Sequence, residues 1–501
     1  MTTRGMLIRR MPLPRTNRLP DMHFWTTDNN GSTRLRNRVG GEAFALMRDS
    51  EAHADLSYFA GKGLQSLLEE NPSLLVFPQS LAASKSHLAE DDSNIITLHR
   101  GGDDPNEICV ATGNLMGFVG RGDTELSIFS RFAQWNAAGE DFFLHYMLQK
   151  VLGIHVFTLE HATGRALHHD FLLFVFPTML KRAMAQGLFK TYRKFERNDS
   201  KIKGPIDLAR HVKLNPLFTG KVAYASRERT ENNPLLHLIR HAIEFIKTKP
   251  FGNAIIRNNR EISECVQLVY DSTPDYSLHD RQRVIARNKR PVSHPYYTAY
   301  RPLQKLCLMI LLHNKLKYAT EPKKVYGILF DGAWLWEEYL ATLLTRAPLN
   351  FTHSENRTGK NGICVYRGNP RYPDFYRGVQ LPSVVLNENS KEAIAGHCIL
   401  DAKYKRMGGG PGREDLHQMI TYLHIFPAQK GAFIHPVEGG GDGVAFAEPK
   451  NLFGYGGTIS KIAVPIPQGC TRAADFQGRM RVVEAECVKA LEVSWRLKDE
   501  R

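Results

Sequence analysis

Two aspartates and a lysine in the C-terminal half have the types and spacing of a metal-dependent hydrolytic site. Asp401 and Lys403 lie two positions apart after the apolar pair Ile399 and Leu400, so on a strand they project from the same face. Asp374 lies on or beside a predicted neighbouring strand. Two carboxylates can hold Mg²⁺, which prefers oxygen ligands, and a lysine can orient the water that attacks a phosphodiester.

Two flanking elements favour this interpretation over solvated charges at a strand edge, which the short pattern alone would also fit. Gln418 and Tyr422 lie four residues apart on a helix predicted over 414–426, so they share one face. Glu337 lies on a helix predicted over 334–344 and is a candidate third metal ligand or supporting acid. The alternative for Glu337 is a solvent-facing acid on an amphipathic helix.

The elements that must position these residues alternate between helix and strand from about Lys324 onward. Strand-rich segments are predicted over 361–376, 379–387, 396–405 and 459–466. A C-terminal helix carries one apolar stripe, formed by Phe476, Met480, Val483, Cys487 and Leu491. This order predicts a compact domain of the α/β class, with mixed α+β character, over residues 321–501.

Two further domains are predicted upstream. Residues 1–165 form a strand-containing adaptor, with a helix over 140–152, and residues 166–320 form a mainly helical connector. The connector contains predicted helices over 169–195, broken or kinked near Pro177, and over 302–318. A third helix begins at Pro234, with Asn233 as its N-cap.

The formal net charge of +15 predicts a polyanionic partner, either nucleic acid or an anionic membrane surface. No apolar run is long enough to cross a bilayer, and we expect no membrane partner. Two basic clusters are candidate DNA contacts, although a solvated face or a contact with a protein partner would also explain them. The candidate residues are Lys190, Arg193, Lys194, Arg287, Lys289 and Arg290.

The remaining sequence features predict a cytoplasmic protein that does not itself use nucleotides. The seven cysteines include no CxxC pair, which fits reduced thiols. The segment 1–20 is arginine-rich without an apolar core, so we expect no secretory signal. No GxxxxGK[ST] motif occurs, so nucleotide-driven motion would have to come from another subunit.

The chain resembles McrC, the nuclease subunit of the McrBC modification-dependent restriction systems. The order and spacing of the matching segments hold from about residue 187 to the C-terminus. The segments are GLF at 187–189 with Tyr192, KGPID at 203–207, NNPLL at 232–236, LWEEY at 335–339, PD at 373–374, LDAKY at 400–404 and DLHQMITY at 415–422.

The resemblance implies a PD-(D/E)xK restriction-endonuclease-like fold that cleaves double-stranded DNA with Mg²⁺, Mn²⁺ being an alternative cation. Asp374, Asp401 and Lys403 would be catalytic, with Glu337 and Gln418 in support. The implied partner is an McrB-like AAA+ GTPase or ATPase that recognises 5-methylcytosine-modified DNA. Two alternatives stay open: a related restriction system whose partner recognises unmodified sequence, and a non-cleaving adaptor that stimulates the partner's nucleotide hydrolysis.

Overall fold

The computed structural model of the chain forms two compact units. The first comprises 1–144, 319–469 and 483–501, and the second comprises 145–318 and 470–482. The structure describes residues 22–36, 43–44, 46–47, 50–71, 73–78, 94–101, 107–122, 124–133, 141–152, 167–217, 219–249, 252–257, 259–316, 325–354, 361–366, 369–378, 398–408, 410–426, 428–439, 443–453 and 456–495.

The described elements are numbered in chain order. The strands are β1 (Met22–Thr27), β2 (Leu35–Arg36), β3 (Ala43–Phe44), β4 (Leu46–Met47), β5 (Ser73–Phe77), β6 (Ile96–Arg100), β7 (Glu107–Thr112), β8 (Leu115–Arg121), β9 (Thr124–Phe129), β10 (Thr191–Asp199), β11 (Val222–Thr230), β12 (Val325–Asp331), β13 (Thr352–His353), β14 (Ile363–Tyr366), β15 (Asn369–Arg371), β16 (Phe375–Arg377), β17 (Cys398–Ala402), β18 (Lys430–Glu438), β19 (Ala445–Phe446), β20 (Lys450–Asn451) and β21 (Thr458–Ile466). The helices are α1 (Glu51–Ala60), α2 (Leu64–Glu70), α3 (Phe142–Leu152), α4 (Leu167–Met184), α5 (Leu208–Leu214), α6 (Pro234–Lys247), α7 (Gly252–Arg257), α8 (Arg260–Asp271), α9 (Arg281–Arg287), α10 (Tyr300–Leu316), α11 (Gly332–Leu344), α12 (Arg413–Ile425) and α13 (Ala473–Trp495), with a 3₁₀ turn at Leu278–Asp280.

One sheet of the first unit combines strands from distant parts of the sequence. Its order is β3-β2-β1-β9-β8-β12-β5, and β12 pairs in parallel with β5 and antiparallel with β8. Two glycines allow the close approach of β8 and β12, because a Cβ at Gly117 would lie 2.2 Å from the Ile328 oxygen and one at Gly327 would lie 2.3 Å from the Phe118 oxygen. β12 then leads directly into α11, so this sheet sets where α11 begins.

The second sheet of the first unit holds the candidate chemistry. Its order is β13-β16-β17-β18-β21-β19. β17, β18 and β21 are parallel, whereas β16 runs antiparallel to β17. The short strand β17 is apolar until its end, and α12 packs against the sheet through Met419, Tyr422 and Leu423. On α11, Trp336 Nε1 donates to the Ile434 oxygen at 3.3 Å, which ties that helix to β18.

The second unit confirms one predicted helix start in detail. α6 begins at Pro234, and the Asn233 side chain accepts from the amides of Leu235 and Leu236 at 3.1 and 3.2 Å. This is the N-cap geometry that the Asn-Pro pair predicts.

The helix predicted over 169–195 is wrong from residue 185 onward. α4 continues through Pro177, so the helix is not broken there, and it ends at Met184. Gly187 follows with a φ of 85°, a conformation that suits glycine. Residues 191–199 then form β10, paired with β11 over nine residues. Cross-strand pairing with a distant segment, which local propensity does not register, decides the outcome here.

The other predicted elements mostly lie where the structure has them. α3, α10, α11, α12, α13, β17 and β21 match predicted segments within a few residues, and the mixture of helix and sheet confirms the α/β class. The strand predicted over 379–387 lies outside the described residues. The division into three consecutive domains stays a prediction; the two compact units are discontinuous in sequence.

Candidate active site

The pairing of β16 with β17 brings the two predicted catalytic aspartates together. Phe375 pairs with Leu400, so Asp374, just before β16, lies beside Asp401 near the end of β17. The amide of Ala402 donates to Asp374 Oδ2 at 2.7 Å, which fixes the Asp374 carboxylate against that strand end. Asp401 is 2 % exposed.

Lys403 projects to the same side as Asp401, as their spacing predicts. Its Nζ lies 2.7 Å from Asp401 Oδ2, and it donates to Gln418 Oε1 at 3.1 Å. The amide of Lys403 donates to the Ile434 oxygen at 2.9 Å, which anchors the backbone to β18. The lysine is therefore held at its main chain and at its tip.

The helix α12 supplies one further acid that the sequence did not single out as a site residue. Asp415 is buried and lies 3.5 Å from Lys403 Nζ. It pairs with Lys405 Nζ at 2.8 Å and accepts from the Gly412 amide at 3.3 Å. Its position three residues before Gln418 on one helix face was the available signal.

Gln418 connects Lys403 to a chain of hydrogen bonds. Gln418 Nε2 donates to Tyr422 Oη at 3.1 Å, and Tyr422 Oη donates to the Tyr372 oxygen at 3.4 Å. Because the amide nitrogen of Gln418 is engaged in this way, its oxygen is directed at the lysine. Gln418 and Tyr422, which are predicted to share one helix face, thus together orient the amide oxygen that accepts from Lys403.

Glu337 lies on α11 and makes a contact with a neighbouring strand. His353 Nε2 and Glu337 Oε1 are 2.9 Å apart, and the His353 ring stacks on Phe375 with centroids 4.9 Å apart. The charge of Glu337 contributes to the electrostatics of Asp374 and Asp401. Its predicted role as a metal ligand stays a prediction.

The pKa values of the two aspartates are displaced by their surroundings. Burial, together with the charges of Glu337 and Asp401, raises the pKa of Asp374 well above its ordinary value. Burial likewise raises the pKa of Asp401, although Lys403 opposes the shift. Burial alone would lower the pKa of Lys403, but the carboxylates, Asp401 foremost, raise it above its ordinary value.

A divalent cation would offset the negative charge of the buried carboxylates Asp374 and Asp401. Asp401 Oδ2 is buried and accepts no hydrogen bond of good geometry. It forms an ion pair with Lys403 Nζ at 2.7 Å. Among the described residues, no group of three or more His, Cys, Asp and Glu side chains is arranged to hold a metal ion. Mg²⁺ needs fewer protein ligands, since one or two carboxylates with water and substrate phosphate suffice. Asp374 and Asp401 fit that requirement.

The candidate DNA-binding residues fall into two classes. On β10 and just before it, Lys190 pairs with Glu231 at 2.9 Å, Arg193 with Asp275 at 3.6 Å, and Lys194 with Glu196 at 3.2 Å. The residues of the second cluster, Arg287, Lys289 and Arg290, are exposed. Within the described part of the chain, no carboxylate pairs with any of these three.

No helix of the described ranges is both long and apolar enough to span a membrane. Of the seven cysteines, the six whose side chains are described are free thiols.

Comparison with known proteins assigns a family to most of the chain. No curated protein matches the sequence. One similar solved structure is the refined half-complex from a tetradecameric assembly of Thermococcus gammatolerans McrB AAA+ hexamers with bound McrC, with 14 % identity, 87 % of this chain and 94 % of that chain covered, and a TM-score of 0.42. Another is the cryo-EM structure of the Thermococcus gammatolerans McrBC complex, with 15 % identity, 65 % and 87 % covered, and a TM-score of 0.30.

The family model of the McrBC 5-methylcytosine restriction system component matches residues 110–436. The matched range is about two thirds of the 501 residues and includes Glu337, Asp374, Asp401, Lys403 and Gln418. The chain therefore belongs to the McrBC 5-methylcytosine restriction system component family.

Proposed function

We propose that this chain is the McrC-type nuclease subunit of an McrBC-like restriction system and hydrolyses phosphodiesters of double-stranded DNA with Mg²⁺. The observation that carries the proposal is the cluster of Asp374, Asp401 and Lys403 at adjoining strand ends. Two carboxylates and a lysine in this order are the residues of a PD-(D/E)xK site, which is the fold we propose for this domain.

Each residue would have a distinct task in cleavage. Asp374 and Asp401 would hold the cation, which when bound polarises the phosphate and lowers the pKa of a water molecule. Lys403 would orient the attacking water and offset charge that develops on the phosphate. Gln418 keeps the lysine tip in place through the contact at 3.1 Å, and Glu337 adds negative charge to the cation site.

The driving subunit would be a separate protein. The chain contains no GxxxxGK[ST] motif, so we propose that nucleotide hydrolysis belongs to an McrB-like AAA+ GTPase or ATPase in the cytoplasm. That partner would select the DNA, whereas this chain would cut it.

The test is Mg²⁺-dependent cleavage of methylated and unmethylated plasmid by the purified chain with its partner NTPase and GTP or ATP. Wild type is compared with Asp401→Asn and Lys403→Ala. We expect cleavage by wild type only, with both variants binding DNA and stimulating the partner as wild type does. Cleavage that persists in both variants would overturn the assignment of the site.

The substrates and the partner assay separate the two alternatives. Equal cleavage of methylated and unmethylated plasmid would indicate a partner that recognises unmodified sequence. Absence of cleavage with any cation, while the partner's nucleotide hydrolysis is still stimulated, would indicate a non-cleaving adaptor.

A further inference from the structure

A buried arginine from the N-terminal part of the chain holds the residue next to Lys403. Arg131 lies just after β9, and its side chain is 3 % exposed. Its Nη2 donates to the Tyr404 carbonyl oxygen, and its guanidinium carbon lies 4.3 Å from the centroid of the Tyr404 ring. One guanidinium therefore fixes both the backbone and the side chain of Tyr404.

Arg131 is itself held by a fully buried carboxylate. Asp28 Oδ1 accepts from the Arg131 amide at 2.5 Å, and Asp28 Oδ2 lies 3.6 Å from Arg131 Nη1. Burial raises the pKa of Asp28 to about 6 even though Arg131 opposes the shift. Apolar residues of similar volume often replace such a pair without loss of stability, so stability alone does not account for this buried pair.

The surroundings of Arg131 and Tyr404 are rigidly built. Asp141 accepts from the amide and the hydroxyl of Ser130 at 2.5 and 2.7 Å, which fixes the turn that carries Arg131. The Tyr404 ring lies against the start of α11, because a Cβ at Gly332 would be 2.8 Å from its Cε1. Tyr404 thus contacts both the Arg131 turn and the helix that carries Glu337.

We infer that Arg131, held by Asp28, is a positioning residue for DNA cleavage that acts through Tyr404 to keep Lys403 against Asp401 and Gln418. The inference rests on the nuclease function proposed above. In the structure Arg131 contacts Asp28, Phe132 and Tyr404, and of these three residues Tyr404 is the one that adjoins Lys403 in the chain. The N-terminal part of the chain then supports the proposed cleavage site.

Three variants separate positioning from mere stability. Arg131→Met removes the guanidinium but leaves Asp28 buried without its partner, which is expected to destabilise the fold. The double variant Asp28→Asn with Arg131→Met removes both charges, so its melting temperature should return toward wild type. Arg131→Lys keeps a charge for Asp28 but loses the planar fork. All are assayed as full-length chain with the partner NTPase.

We expect single-turnover cleavage to fall at least ten-fold in Arg131→Met and in the double variant, with DNA binding measured without Mg²⁺ unchanged. Arg131→Lys should recover part of the rate. A purely structural role predicts the opposite pattern, in which cleavage follows the melting temperature and returns in the double variant. Cleavage within two-fold of wild type in the double variant would overturn the inference.

A second readout does not depend on cleavage. Trace acetylation with acetic anhydride, followed by mass spectrometry, measures how freely Lys403 Nζ reacts, with exposed Lys201 in the second unit as internal reference. We expect several-fold faster labelling of Lys403 in the double variant. Unchanged labelling would overturn the route through Tyr404, even if wild type cleaved no DNA and the proposed nuclease function failed separately.

Discussion

At the scale of single residues, two neighbouring lysines differ in what they contact. Lys403 Nζ lies 2.7 Å from Asp401 Oδ2, whereas Lys405 pairs with Asp415 at 2.8 Å. Both lysines share Asp415, since Lys403 lies 3.5 Å from its Oδ1. The two positions therefore give a matched pair for testing whether the ammonium group of Lys403 has the proposed catalytic role and that of Lys405 does not.

We predict that Lys403→Met lowers the single-turnover cleavage rate by about 10²–10⁴-fold, the usual range for losing a positioned group that moves protons or stabilises charge. Lys405→Met should lower it less than about ten-fold, because Lys405 acts on Asp415 and not on Asp401. Rates are measured by quenched-flow gel assay at saturating Mg²⁺. Equal losses in the two variants would contradict the assignment of Lys403.

The local part of the site could be predicted from the sequence, whereas the long-range part could not. The shared face of Asp401 and Lys403 follows from the two-residue period of a strand, and that of Gln418 and Tyr422 from the helical period. The contact of Arg131 with Tyr404 joins positions far apart in sequence. No periodicity encodes such a pair, so it required the three-dimensional structure.

At the scale of elements, the start of α6 shows how a cap can serve two structures. The Asn233 side chain accepts from the Leu235 and Leu236 amides while its Nδ2 donates to the Phe189 oxygen at 2.8 Å. One buried side chain thus caps the helix and fastens the segment that leads into β10. Cap chemistry was visible in the sequence, but the bond to Phe189 was not.

We predict that Asn233→Ala lowers the free energy of unfolding by about 2 kcal/mol, the upper end of the usual cap range, because the buried Phe189 oxygen also loses its donor. The matched control is Asn259→Ala. Asn259 caps α8 through one exposed bond to the Glu261 amide, so about 1 kcal/mol is expected. Urea unfolding followed by circular dichroism measures both, and equal losses would contradict the dual role.

The antiparallel pairing of β10 with β11 explains why the predicted helix over 169–195 failed beyond residue 184. Residues 191–199 are mostly charged and only partly buried, so neither an apolar alternation nor a buried run marks them as a strand. Their pairing partner begins at Val222, more than twenty residues later. Pairing with β11 therefore determines the strand. The basic residues that the sequence places at the end of a helix lie on or next to β10 instead.

At the scale of the whole molecule, the two basic clusters differ in whether nearby carboxylates neutralise their positive charge. The basic residues at β10, Lys190, Arg193 and Lys194, have carboxylates within ion-pair distance, which lowers their net attraction for a polyanion. The basic surface at and after α9, formed by Arg287, Lys289 and Arg290, is exposed. Within the described ranges it has no such compensation, so the net charge of +15 does not by itself locate a DNA contact.

We predict that alanine at Arg287, Lys289 and Arg290 weakens binding to double-stranded DNA and reduces the slope of log affinity against log salt by about two to three, since each lost phosphate contact removes roughly 0.9. Alanine at Lys190, Arg193 and Lys194 is the charge-matched control. Its slope should change by less than about one, because these cations are already paired. Fluorescence anisotropy over a potassium chloride series, in an Asp401→Asn background that prevents cleavage, compares the two triple variants. An equal or larger slope change for the triple variant at β10 would assign the DNA contact to β10 and contradict the role of the surface at α9.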